Sequence, residues 1–249
     1  MILLIAQAPV VAILLAMVAS EDIYSSYDDT KAIMFSIGCA SIWLGLLNSV
    51  QEICKEKVIL QKEHMADLKL SSYLLSKFIV QGIIAFIQAT LLVGIFQKIV
   101  GSSEHSILID GYWDIQLVSF LSILAAASTG LFISAVVKNS NIAMSVIPLI
   151  LVPQLLYSGM LFKLDGITDF VSNFVLCRWT VEALGTSVNL NDLTHIAQTI
   201  NPLIEIEPEN YFTFTTEHMI EVIGIILLMT AVLMLASYFV LRKNVNKNM

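Results

Sequence analysis

Charge is what this sequence has least of. Only 13% of its 249 residues are Asp, Glu, Lys or Arg, where a soluble domain carries roughly 25%. An ordinary water-soluble globule is excluded. Basic residues are scarcest: 13 Lys and Arg against 20 Asp and Glu leave a net charge of −7, the wrong sign for a nucleic-acid partner. The three cysteines, Cys39, Cys54 and Cys177, make no disulfide framework. There is no HExxH pair to hold a metal, and His64 and His218 sit at span edges or in loops. GxxxxGK[ST] is also missing, so the chain has no P-loop nucleotide site of its own. No internal repeat or low-complexity tract stands out.

What is present is apolar. Hydrophobic residues make up 57% of the chain, and the mean hydropathy is +0.82. Six stretches approach the ~20 apolar residues that a helix needs to cross a bilayer. They run over 1–19, 32–50, 73–97, 117–137, 142–162 and 219–241. These runs are too long and too unbroken for strands, and a helix satisfies its own backbone in lipid. The expected fold is therefore an all-α polytopic membrane protein, one domain over 1–249.

The loops divide by charge. Segments near 51–77, 138 and 242–249 hold Lys55, Lys57, Lys62, Lys69, Lys77, Lys138, Arg242, Lys243 and Lys247 against four acids, a net +5. The opposite side holds Lys31, Lys98, Lys163 and Arg178 against sixteen acids, a net −12. Basic loops stay inside, so both termini are expected in the cytoplasm and the chain in the plasma (inner) membrane. Met1–Ser20 also reads as a signal peptide with a Val18-Ala19-Ser20 cleavage site, but it lacks the basic leading residues of one. A chain that begins inside a span looks cut from something longer.

No ionisable side chain lies at the middle of any span, which argues against a proton-driven carrier. Gln7, Asn48, Gln81, Gln88, Thr90 and Gln154 do lie within spans. They read either as hydrogen bonds between helices or as polar points on a cavity wall. Small residues recur every four positions at Ser41, Gly45 and Ser49, and again at Ala126, Gly130 and Ser134. That spacing lets helix backbones approach closely.

Residues 51–70, QEICKEKVILQKEHMADLKL, are too charged to cross lipid, yet they have no Pro or Gly and keep Ile53, Val58, Leu60, Met65 and Leu68. They read as an amphipathic helix at the cytoplasmic face. Its mixed charges suit docking to a protein better than anchoring to lipid. A solvated loop is the plainer alternative.

At this point the chain resembles a family. Asn48, Ser49, Glu52, Ile53, Lys55, Glu56, Ile59, Lys62 and Glu63, followed by Ser71 or Ser72, Tyr73, Ser76 and Lys77, match a pattern of the membrane domain of G-subfamily-like, type-2 ABC exporters. A second match is SGMLFKLDGITDFVSNFVLCRWTVEAL, Ser158 to Leu184, and a third is the opening LLIAQAPVVAILLAMV. Cys177 departs from the Pro or polar residue usual before Arg-Trp.

The resemblance implies a homodimer of six-span halves, with the second and fifth spans lining a cavity. The short cytoplasmic helix would seat in an ABC ATPase domain, coupled through Glu52, Glu56 and Glu63. Asn48 and Gln154 would face the cavity. Met160 and Leu161 would form an apolar plug above it. Residues 164–185 would be a re-entrant element near the outer end, with Arg178 and Glu182 on one helical face and Trp179 at the interface.

Pro148 and Pro153 within the fifth span remove two backbone donors and bend it. The acidic stretch 186–218 reads as a solvated external segment. No cofactor is expected in this chain; ATP and Mg would belong to an ATPase on a separate chain or a missing N-terminal domain. The expected activity is ATP-driven export of a hydrophobic or amphipathic substrate by alternating access. The competing possibility is a non-transporting anchor or sensor subunit of a signalling assembly.

Overall fold

The computed structural model describes residues 2–20, 23–65, 68–103, 105–162, 164–194 and 210–247. Among them are α1 (Ile2–Val18), α2 (Tyr27–Ser49), α3 (Glu52–Met65), α4 (Leu70–Val100) and α5 (Gly111–Val136). There follow α6 (Ser140–Leu156), α7 (Ile167–Ser172), α8 (Leu176–Ser187), a 3-10 turn at Asn210–Phe212 and α9 (Thr216–Lys247). No strand occurs among the described residues. The chain is an all-α membrane protein. α2, α4, α5 and α9 are long and apolar enough to cross a membrane. α1 and α6 have 17 residues each, about 25 Å of helix, the lower limit for a span.

α5 is the centre. It packs against α2, α4, α8 and α9, and most of its side chains are buried. α9 leaves Ile220, Leu227, Leu228, Val232, Leu235 and Phe239 exposed, as suits a helix whose solvent on one side is lipid. The small residues at four-residue spacing explain the tightest contact. A Cβ on Gly45 would strike the Ile123 carbonyl oxygen and lie 2.7 Å from the Ala126 Cβ. A Cβ on Gly130 would strike Ser49 Oγ. Glycine at both places lets α2 and α5 touch backbone to backbone, where dispersion contacts are densest.

α2, α4, α5 and α9 each begin before the expected span, α5 by six residues, and two further elements stop short of theirs. The span expected at 142–162 is helical only to Leu156. Asn139 Oδ1 caps its start from Ile142 N at 2.9 Å, but Pro148 and Pro153 each withhold a ladder hydrogen bond. Beyond them Gly159 turns the chain with φ +80°, a conformation that favours glycine. Of the helix expected over 51–70, α3 covers Glu52–Met65, residues 68 and 69 are not helical, and α4 begins at Leu70.

Candidate functional site

Two ends of the bundle carry polar side chains in defined arrangements. At the first, α3 packs on the end of α5 and bonds to the start of α4. Ile53 and Leu60, seven residues apart and so on one helical face, are buried against Leu70, Leu74, Leu131 and Leu241. The same orientation turns Glu52 and Glu56 toward α4. Lys77 Nζ lies 3.2 Å from Glu52 Oε2 and 2.7 Å from Glu56 Oε1, and Tyr73 Oη donates to Glu56 Oε2 at 2.9 Å. Lys57 Nζ donates to the Val137 carbonyl at 3.4 Å, and Asn244 Nδ2 to the Ala135 carbonyl at 3.0 Å. α3 is thus fixed to its own bundle by its acids. The face left exposed carries Lys55, Ile59, Lys62 and Glu63, with Ile59 56% exposed among the charges. Of the three carboxylates read as docking groups, Glu63 alone lies on that open face.

The polar residues within the helices bond to one another. Asn48 Nδ2 donates to Gln88 Oε1 at 2.6 Å, Gln88 Nε2 to the Leu4 carbonyl at 2.8 Å, and Gln81 Nε2 to the Asn48 carbonyl at 3.3 Å. This ties α2, α4 and α1 together, and Asn48 is buried. Gln116 Nε2 donates to Thr90 Oγ1 at 2.9 Å. Gln154 Oε1 accepts from the Cys177 backbone N–H at 2.8 Å. Cys177 is the second residue of α8, whose first N–H groups have no partner within the helix. Gln154 therefore joins the end of α6 to the start of α8.

At the other end, α7 and α8 form a broken pair. Arg178 organises it. Its Nη1 donates to Ser172 Oγ at 3.1 Å and also meets Asn173 Oδ1. Its Nη2 lies 3.9 Å from Asp169 Oδ1, and its Nε 3.7 Å from Glu182 Oε2. The guanidinium stacks on Trp179 and Tyr211, each 4.8 Å to the ring centre. Trp179 Nε1 donates to the Asn173 carbonyl at 2.9 Å, and Tyr211 Oη to Asp169 Oδ1 at 2.9 Å. Glu182 is buried, and His218 Nε2 lies 3.4 Å from its Oε1. Burial pushes the Glu182 carboxyl up to about 7, against the pull of Arg178.

A small cavity opens here between Ser158, Gly159, Met160, Arg178, Glu182 and Tyr211. Met160 is half-buried against the core, while Leu161 is 54% exposed. The pairing of Arg178 with Glu182 follows from their four-residue spacing. The parts played by Asp169, Tyr211 and His218 do not, since each comes from another element. The middle of the acidic segment expected over 186–218, residues 195–209 with Asn201-Pro202, Glu205 and 207–209, lies outside the described residues, as does Lys163.

A polytopic all-α bundle with a short amphipathic helix seated at one end and a broken helical pair at the other has the layout of a transporter membrane domain. The chain belongs to the ABC-2 type transporter family, whose membrane-domain model matches residues 2–187. It is also similar to the ABC transporter ATP-binding/permease protein Rv1747 of Mycobacterium tuberculosis, at 22% identity over 162 residues. That match covers 64% of this chain and 19% of the relative, so the chain spans about a fifth of that protein's length.

Proposed function

We propose that this chain is the membrane domain of an ATP-driven exporter, working as a pair of copies and moving a hydrophobic or amphipathic substrate outward by alternating access. The observation that carries the reading is α3. It is bound to α4 and α5 along one side and presents Lys55, Ile59, Lys62 and Glu63 on the other. A helix held so firmly transmits force, and an exposed isoleucine ringed by charge is a docking point for a protein. ATP and Mg are held by the ATPase that docks there. The family match and the printed name of the relative, which joins ATP binding to a permease, support that partner.

The net +5 summed over 51–77, 138 and 242–249 supports an orientation with this end and both termini on the cytoplasmic side of the plasma membrane. The α7–α8 end then faces outward, with Met160 and Leu161 as the apolar closure of the path. Met160→Ala with Leu161→Ala should raise basal ATP turnover or substrate leak with the pair still assembled; unchanged turnover and leak would remove the gate. The test of the docking face is purification of the chain with its ATPase, followed by Ile59→Asp and Lys62→Glu. Both should reduce ATPase retention and transport while leaving membrane insertion intact. Full retention and transport in the double variant would overturn the docking role of α3.

A further inference from the structure

We infer that Ser134 is a positioning residue that pins the pivot of α3, so that movement of α3 is delivered to α5; this rests on the function proposed above. A helix start leaves N–H groups without partners, and a local Ser, Thr, Asp or Asn at the residue before the helix usually accepts from them. α3 lacks such a cap: the residue before it is Gln51, and Lys55 N–H bonds the Gln51 carbonyl in the ordinary helical way. The acceptor comes instead from 80 residues along the chain. Ser134 Oγ on α5 accepts from both Ile53 N–H and Cys54 N–H, each at 3.0 Å. Ser134 is fully buried, so no water replaces it.

The place of this bond matters more than its strength. Ser134 is one helical turn beyond Gly130, the residue at which α5 presses on Ser49 of α2. The α2–α5 contact is the tightest in the bundle, so Ser134 projects from its most rigid part. Glu52, the first residue of α3, and Glu56, one turn on, both reach α4 through Lys77. α3 is therefore held in its first turn by both α5 and α4, and one turn on by α4 alone through Glu56. A push on its exposed face turns it about Ser134 rather than sliding it past the bundle. Without that point the same push is lost as slack.

Ser134→Ala alone would confuse loss of a cap with loss of a pivot. Gln51→Ser separates them, because serine at that position caps α3 locally without joining it to α5. Four proteins are compared: unmodified, Ser134→Ala, Gln51→Ser, and the double variant. Each is prepared with its ATPase for transport per ATP hydrolysed. In a second set of the same four proteins, not used for transport, spin labels at Lys62→Cys and Lys138→Cys, with the three native cysteines replaced by alanine, report how firmly α3 is placed against the end of α5.

In Ser134→Ala, transport per ATP should fall about fivefold or more and the label distance should broaden. The double variant should recover hydrogen-exchange protection at residues 53–57 but stay broad and uncoupled. Recovery of a narrow distance and of coupling in the double variant would overturn the inference, as would an unaltered Ser134→Ala protein. If the distances behave as expected but the unmodified complex moves nothing on ATP, the pivot stands and the transport reading fails.

Discussion

Replacing Glu182 by Gln should remove a pH dependence from the α7–α8 element. The carboxyl lies in α8, outside the long apolar helices, and is 5% exposed. Arg178, Asp169, Tyr211, His218 and Glu221 are the charged or titratable groups around it. Burial raises it from the ordinary 4.5 to about 7, with Arg178 opposing and Glu221 and Asp169 adding. Keeping it ionised in the docked element therefore costs about 3 kcal/mol. Between those two values the docked carboxyl holds a proton that the undocked one has released. Stability of docking falls as pH rises through this window, at about 1.4 kcal/mol per pH unit. Below it both forms are protonated and above it both are ionised, so the slope vanishes. Hydrogen exchange over residues 167–187 from pH 5 to 8, corrected for intrinsic rates, measures the opening. The unmodified protein should open more readily at pH 8 than at pH 5, and Glu182→Gln should lose that trend. Equal slopes in the two proteins, or protection that grows with pH in the unmodified one, would refute the reasoning.

Other substitutions follow from the packing. Gly45→Ala drives a methyl into the Ile123 carbonyl and should cost about 1–3 kcal/mol, read as a lowered melting temperature in detergent. Gly224→Ala, where nothing lies within 4 Å of the new Cβ, should stabilise α9 by about 0.5–1 kcal/mol. Gln154→Leu leaves the Cys177 N–H without its acceptor and should loosen α8 by about 1–3 kcal/mol, seen as faster exchange at residues 176–180 with α2 and α5 unchanged. A cysteine at position 206 should react with an impermeant thiol reagent from outside and one at position 246 should not; equal labelling would undo the assignment of sides.

The helices were legible in the sequence because hydropathy belongs to a run of residues and needs no partner. The α2–α5 contact was legible for a related reason: Gly45, Ser49, Ala126 and Gly130 recur at the period of one helical face, and small size acts the same way whatever lies opposite. The early end of α6 was half legible. Pro148 and Pro153 announce a bend, but only the left-handed turn at Gly159 decides that residues 157–162 leave the helix. The polar groups were the hard part. Glu52 and Glu56 look like docking charges when α3 is read alone, since an amphipathic helix shows its acids on the polar face. They pair with α4, while staying partly exposed, because Lys77 and Tyr73, 17 to 25 residues later, stand beside the face on which Ile53 and Leu60 are buried.

Gln154 and Ser134 teach the same lesson with opposite starting points. One is a conspicuous amide in an apolar helix, which alone reads either as a bond between helices or as a polar point on a cavity wall; the other is a small residue, which alone reads as packing. Both in fact accept backbone N–H groups at the start of another helix. A helix start carries a partial positive charge and unpaired donors, and within a bundle it must find an acceptor from whichever neighbour is nearest. Neither Gln51 nor Val175, the residues before α3 and α8, supplies one from its own side chain. The starts of the two short helices at opposite ends of the bundle are therefore tied to the long ones by side chains of the long helices, and a local cap put in place of either acceptor should keep that helix folded while loosening the tie.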